Sequence, residues 1–260
     1  MSYLRHYGKA TSDGIDLEIR GAHDLCYQYE DTLLVSQVAD HESQMGGVSV
    51  YTRHGVKPLL EERSSYYGVA AMEDGAIAVR NGTTNKIEVY SRDNTRVSEF
   101  QLPSGKHKGI AVTQEGNILV CDSANDCIRE YEVDGSLRRV IQNKAVKKPG
   151  YVATLDSSII VTCAGHEPCV LKLTSAGKQI WKYKDIGFPQ GISVDRNGDI
   201  YVCDAENKCI VMVTPDGAMS FKMISPGQLD NLMPFSVAVS RDKMAVQFME
   251  NNRIRTFRLT

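Results

Sequence analysis

The sequence predicts an all-β chain folded as a six-bladed β-propeller of four-stranded antiparallel blades. Three observations carry that prediction: glycines that recur at a fixed interval, four short β-type segments after each of them, and a last unit that is one strand short.

Gly68, Gly109, Gly150 and Gly191 stand 41 residues apart, in Tyr-Gly-Val-Ala-Ala, Lys-Gly-Ile-Ala-Val, Pro-Gly-Tyr-Val-Ala and Gln-Gly-Ile-Ser-Val. Internal repeats of this period mark stacked supersecondary units. The order of patterns inside a unit is clearest after Gly191. Arg196-Asn197-Gly198 is followed by Asp199-Ile200-Tyr201-Val202-Cys203-Asp204, then by Ala205-Glu206-Asn207-Lys208, Cys209-Ile210-Val211-Met212-Val213 and Pro215-Asp216-Gly217. The Asn-Gly and Asp-Gly pairs suit tight two-residue hairpin loops, because both residues tolerate positive φ. Four strands joined this way form a meander that cannot cover both of its faces alone, and a ring of such sheets solves that problem.

Blades are expected to start near residues 24, 66, 107, 148, 189 and 234, all within one domain of residues 1–260. The first unit runs from about Asp24 to Glu61. The last begins at Met233 and holds three strands, ending in Arg253-Ile254-Arg255-Thr256-Phe257-Arg258-Leu259. Its missing outer strand is expected from Tyr3 to Tyr7, within residues 1–7. Pairing the two chain ends in this way closes the ring and removes edges that would otherwise invite aggregation.

Composition narrows the function classes. Hydrophobic residues at 42% and charged residues at 24% are ordinary for a globular protein, and no apolar run approaches the ~20 residues of a membrane-spanning helix. A net charge of −2 argues against a globally basic nucleic-acid binder and leaves local patches open. Seven cysteines, with no secretory pattern at the start, suit a reduced cytoplasmic protein. The opening residues already look like a strand, so the chain is expected to be one module of a longer protein.

Two propeller families are set aside: the sequence has no Trp-Asp dipeptide, and its one Gly-Gly pair is Gly46-Gly47. What it resembles is the NHL repeat, named for an Asn-His-Leu-like motif opening the third strand. Asn85-Lys86-Ile87, Asn125-Asp126-Cys127-Ile128, Asn207-Lys208-Cys209-Ile210 and Asn252-Arg253-Ile254 stand where that motif belongs, and Asp40, Asp122 and Asp204 match the preceding family aspartate. Blade four departs with Ala164-Gly165-His166-Glu167-Pro168, and blade two with Arg80-Asn81. The resemblance spans essentially the whole chain, which looks like the C-terminal domains of TRIM-NHL proteins. It implies single-stranded RNA in messenger 3′ untranslated regions as a partner, or else protein substrates and scaffolds recruited to a RING-type ubiquitin ligase whose RING and B-box domains lie upstream.

No catalytic pattern is found, so the chain is expected not to be an enzyme. Calcium-dependent propeller enzymes gather oxygen ligands where the inner strands begin, but His23-Asp24, Tyr67-Gly68, Lys108-Gly109, Pro149-Gly150, Gln190-Gly191 and Phe235-Ser236 contain one acid. His6, His23, His41, His54, His107 and His166 show no ligand spacing and are expected on surfaces and loops. No cofactor, metal, membrane or small-molecule substrate is expected. Cys121/Cys127, Cys163/Cys169 and Cys203/Cys209 repeat one interval, which reads as a packing niche copied with the repeat.

In this topology the loop before the first strand and the loop between the second and third emerge on one face. Tyr67, Arg80, Asn81, Lys86, Lys106, His107, Lys108, Lys147, Lys148, Phe188, Gln190 and Phe235 are the residues expected to bind there. Lysines and arginines would neutralise phosphates, flat rings would stack on unpaired bases, and amides would read base edges, so the mixture suits single-stranded RNA. Asp122, Asp126, Glu167, Asp204 and Glu206 share that side and give it mixed sign.

Overall fold

A computed structural model describes residues 10–39, 45–250 and 253–259, with residues 13–15 and His107 described as backbone. Six four-stranded antiparallel sheets make up a propeller. The N-terminal strand β1 (Ala10–Glu18) belongs to the last blade. Blade one is β2 (Ala22–Tyr29), β3 (Thr32–Gln37), β4 (Gly46–Thr52) and β5 (Gly55–Glu62), and blade two is β6 (Tyr66–Ala71), β7 (Ile77–Asn81), β8 (Lys86–Tyr90) and β9 (Arg96–Gln101). Blade three is β10 (His107–Val112), β11 (Ile118–Asp122), β12 (Cys127–Tyr131) and β13 (Leu137–Gln142). Blade four is β14 (Pro149–Leu155), β15 (Ser158–Cys163), β16 (Cys169–Thr174) and β17 (Gln179–Tyr183). Blade five is β18 (Pro189–Val194), β19 (Ile200–Asp204), β20 (Cys209–Val213) and β21 (Ser220–Ile224). Blade six is β22 (Pro234–Ser240), β23 (Lys243–Phe248), β24 (Arg253–Leu259) and, outermost, β1.

The ring closes between its two ends. Strand β1 pairs antiparallel with β24, Ala10 facing Leu259 and Glu18 facing Arg253. Arg255 reinforces the closure with a two-pronged contact to Asp16, at 2.9 and 3.2 Å. The closing strand is therefore Ala10–Glu18; Tyr3–Tyr7, along with His6, Asp40, His41 and Asn252, lie outside the described residues.

The second strands read as unbroken apolar runs because a neighbouring blade covers each of their faces. All five residues of Ile118–Asp122, and likewise of Ile200–Asp204, are buried. Apolar clusters sit between blades: Leu34 and Val48 meet Val69 and Val79, Leu119 and Ile128 meet Val161 and Leu171, and Met212 meets Val237 and Val246. Each fully buried aliphatic side chain contributes about 1.5–3 kcal/mol, so the interfaces between sheets dominate stability. The outer strands need no such cover, and Leu137 and Val140 of β13 are exposed.

The glycine-bearing hairpin turns of blades two, three and five differ from the two-residue loops expected, whereas two-residue loops join the first two strands of blades one, four and six. Gly75, Gly116 and Gly198 have φ near +82 to +89°, and none of the residues before them, Asp74, Glu115 and Asn197, has positive φ. Gly198 N–H bonds Asp195 O at 3.0 Å while Asp195 N–H bonds Asp199 O at 3.0 Å. That is a three-residue loop ending in a left-handed glycine, which puts the conformational strain on glycine alone. Asp195 Oδ1 accepts from the N–H of Asn197 and Asp199, so a carboxylate caps the turn.

Candidate functional site

The loops on one face are tied together by a bond repeated around the ring. The first residue after each second strand donates its N–H to the carbonyl just ahead of the first strand: Val38 to Gly21, Gly82 to Ser65, Ser123 to Lys106, Ala164 to Lys148, Ala205 to Phe188 and Met249 to Met233, all at 2.7–3.2 Å. These bonds place the two loop sets on a common face.

Each first strand also carries a register shift near its start, between Ala22 and Asp24, Tyr66 and Gly68, His107 and Ile110, Pro149 and Val152, Pro189 and Ile192, and Pro234 and Ser236. A bulge re-aims the side chain it holds. The residues within these shifts include His23, Tyr67, Lys108, Tyr151, Gln190 and Phe235, so the bulges build the rim of the channel. His23 packs edge-on against Tyr67 at 4.8 Å and against Phe235 at 4.9 Å, and Phe235 meets Tyr151 at 5.9 Å. Below this aromatic cap all six first strands line a cavity of about 220 Å³.

Arg80 reaches this cap from the second strand of blade two. It lies opposite Gly68 in the register, and a Cβ on Gly68 would stand 3.6 Å from Arg80 Cβ and 3.2 Å from Ile110. The guanidinium lies over the Tyr67 ring at 5.0 Å. Arg80 is 8% exposed, and its Nε has no hydrogen-bond partner among the described residues. The matching second-strand positions hold Ser36, Cys121, Thr162, Cys203 and Gln247, so Arg80 is the charged member of this ring.

Asp24 sits at the junction of cap and cavity. Its Oδ1 accepts from the Ser236 hydroxyl at 2.8 Å and the Leu25 N–H at 3.0 Å, and Oδ2 from the Val69 N–H at 3.4 Å. Burial outweighs these bonds and pushes the carboxyl up to about 7. His23 moves the other way: burial, then repulsion from Arg80, lowers its imidazole to about 4, and the ring Nδ1 lies 3.0 Å from Tyr67 O. Desolvation also lowers Arg80.

The expected binding residues separate into three groups. Lys106, Lys108 and Phe188 are exposed on the face, Phe188 at 41%, and Tyr67, Arg80 and Phe235 belong to the cap. Lys86, Lys147 and Lys148 lie at the rim with their loops already engaged. Lys86 Nζ pairs with Glu99 at 2.7 Å, Lys147 Nζ with Asp126 at 3.0 Å, and the Lys148 N–H, at φ +47°, donates to Asp126 at 2.7 Å. His107 opens β10 opposite Asp122, its side chain outside the described part.

Asn81 and Gln190 do not present amides to the face, which corrects their expected role as base readers. They are 1% and 4% exposed. Asn81 Nδ2 donates to Glu88 at 2.9 Å and its Oδ1 caps the N–H groups of Thr83 and Thr84. Polar side chains at the end of a second strand hold the following loop, and the repeat motif does the same elsewhere. Asp204 accepts from Asn207 through both backbone and side chain, at 3.2 and 2.7 Å, and Asp122 from Asn125 at 3.1 and 2.8 Å. Asp122 and Asp204 are thus buried at 0% and 1% and add no exposed negative charge.

Sequence reasoning missed His23, which was expected on the surface, and Tyr151, which was not considered. The available signal was their position beside the repeating glycine, or its blade-one equivalent Asp24, where the bulge falls.

A family model for the NHL repeat matches residues 187–211, the loop, first strand and motif of blade five. No curated protein matches the chain by sequence. Among solved structures, virginiamycin B lyase from Staphylococcus aureus superposes with a TM-score of 0.69 at 16% identity, covering 95% of this chain and 99% of that one. A chain of a nidogen/laminin complex gives 0.69 at 17% identity, over 92% and 90%. A chain of a mitotic checkpoint complex gives 0.72 at 10% identity, over 100% and 95%. At such identities the likeness defines the fold, a six-bladed β-propeller carrying an NHL repeat.

The lyase corrects one expectation. The lack of a local catalytic motif had excluded an enzyme, yet an enzyme is built on this architecture over nearly its full length. Residues that meet at a propeller axis come from different blades, tens of residues apart, so a short-motif search is blind to them. Among the described residues no helix is long and apolar enough to cross a membrane.

Proposed function

We propose that this chain is a recognition domain that binds single-stranded RNA on the loop face around the aromatic cap. The observation carrying this reading is the pair of exposed lysines Lys106 and Lys108, which have no ion pair to a described residue, on a face where Asp122 and Asp204 are buried, Asp126 and Glu167 are paired with Lys147 and Lys182, and Glu206 is exposed. Exposed Phe188 and the half-buried Tyr67 and Phe235 supply ring surface beside them. Base stacking on such rings is worth about 1–3 kcal/mol per base, and phosphate neutralisation supplies salt-dependent affinity. The resemblance to TRIM-NHL proteins agrees with a role in regulating messenger RNA in the cytoplasm.

Titration of labelled uridine-rich RNA at several salt concentrations tests it. Contact with about four phosphates gives a slope of log affinity against log salt of roughly −3. Lys106→Gln and Lys108→Gln weaken binding, and Lys86→Gln, already balanced by Glu99, weakens it less. Undetectable binding at low salt, or affinity indifferent to salt, refutes the reading.

The exposed side chains of Phe188 and Met249, at 41% and 49%, favour a second reading in which the face recruits a protein substrate or scaffold for a ubiquitin ligase. Aromatic anchors at the middle of a face are typical binding hot spots. Partner capture lost in Phe188→Ala but kept in Lys106→Gln and Lys108→Gln would favour that alternative.

A further inference from the structure

The three cysteine pairs share one interval in sequence but not one geometry. In blades three and five the loop after the second strand holds four residues, and the paired register sets Asp122 opposite Cys127 and Asp204 opposite Cys209. Cys121 and Cys203 therefore face Ile128 and Ile210. Side chains alternate along a strand, so the two cysteines of each pair point to opposite faces of their sheet. Cys203 accordingly packs between blades five and six and Cys209 between blades four and five.

Blade four lacks the family aspartate, and its loop is one residue longer. The register places Cys163 directly opposite Cys169, and both belong to the one cluster between blades three and four. Directly opposed residues of an antiparallel pair have Cα atoms about 4.5–5.5 Å apart, inside the roughly 4.4–6.8 Å that a disulfide spans. The two thiols act on each other, which lowers Cys169 and raises Cys163. Lys182 adds to the lowering of Cys169. Its Nζ also binds Glu167 at 3.1 Å, in the loop joining the two cysteines.

We propose that Cys163 and Cys169 form a redox-responsive dithiol that closes to a cross-strand disulfide when oxidised by a hydroperoxide. The Cys169 thiolate attacks one peroxide oxygen and breaks the O–O bond; the departing oxygen takes up a proton to leave water, and Cys169 becomes a sulfenic acid. The Cys163 sulfur, releasing its proton, then attacks the Cys169 sulfur and expels the sulfenic oxygen as a second water. Two thiols lose two electrons and two hydrogens to one hydrogen peroxide. Both residues are at most 1% exposed, which confines the reaction to small oxidants.

Trypsin separates the alternatives, because residues 148–172 carry Cys163 and Cys169 together, residues 109–129 carry Cys121 and Cys127 together, and Cys203 and Cys209 fall on different peptides. The protein is treated with hydrogen peroxide, its remaining thiols are alkylated and its peptides weighed without reduction. Residues 148–172 should lose the mass of two hydrogens and escape alkylation, and dithiothreitol should reverse this. Residues 109–129 should be alkylated at both cysteines. In Cys163→Ser the sulfenic acid should persist on Cys169 and be trapped by dimedone. The wild-type peptide retaining both thiols while half-buried Cys26 is oxidised, or residues 109–129 closing as readily, overturns the proposal whether or not the variant folds.

Discussion

Replacing Asp24 by asparagine should uncover a pH dependence of stability that the native protein cancels. The folded-state carboxyl of Asp24 is raised from 3.8 to about 7. Between those values the folded state holds a proton that the unfolded chain has lost, so this group's contribution is full below 3.8 and is lost as pH rises toward 7. The slope approaches roughly −1.4 kcal/mol per pH unit, for a ceiling of about 4 kcal/mol across the interval. His23 does the reverse. Its imidazole is lowered from 6.5 to about 4, so in that window the unfolded chain holds the extra proton and stability rises with pH. The two slopes oppose each other from about 4 to 6.5, where the wild type should be nearly flat with respect to this pair. Asp24→Asn leaves the His23 slope alone, and His23→Asn leaves the Asp24 slope alone. Urea unfolding at half-unit steps from pH 4.5 to 7.5 is the assay, each profile being compared with the wild type over that range. Relative to wild type, Asp24→Asn should gain stability steadily as pH rises, and His23→Asn should lose it. An Asp24→Asn profile parallel to the wild type would refute the burial argument, because that carboxyl would then titrate alike in both states.

The remaining predictions concern the blade that carries Arg80. Glu88, 2% exposed, accepts hydrogen bonds from Tyr66 at 3.1 Å, Tyr90 at 2.9 Å and Asn81 at 2.9 Å. Glu88→Ala strands the Tyr90 and Asn81 donors, Tyr66 keeping Glu62 at 3.0 Å, and should cost on the order of 2–4 kcal/mol by chemical denaturation; a loss below about 1 kcal/mol would mean the cluster is dispensable. Gly82→Ala puts a Cβ 2.1 Å from the Tyr67 ring, which His23 and Arg80 already flank, so it should destabilise by about 1–3 kcal/mol and weaken RNA binding along with it. Arg80→Met removes a desolvated cation together with its contact on Tyr67, two effects of similar size, about 1–2 kcal/mol each. Stability should therefore change little while RNA affinity falls, and a large loss of stability would show that the guanidinium has a structural partner.

The architecture was legible in the sequence because a propeller repeats locally. The glycines at 68, 109, 150 and 191, the turn glycines and the apolar second strands each report on one blade, and every blade faces the same packing problem. The outer strand of blade six comes from the N-terminal side as expected, although it is Ala10–Glu18 that supplies it. What the sequence could not disclose arises between blades or from a one-residue difference in register. The bulges that turn His23, Tyr67 and Phe235 into one aromatic cap involve residues 44 or more positions apart. Arg80 is a cap residue rather than a loop residue because Gly68 leaves room beside it. Asp122 and Asp204 look like surface charge but are spent on holding their own loops. Equal cysteine spacings give different pairings because blade four's loop is longer by one residue, which brings its second cysteine onto the same face as the first. Local chemistry determines the blade; which side chains meet at the axis is decided by the ring, because burial, pKa and contact there depend on neighbours that the chain order does not place side by side.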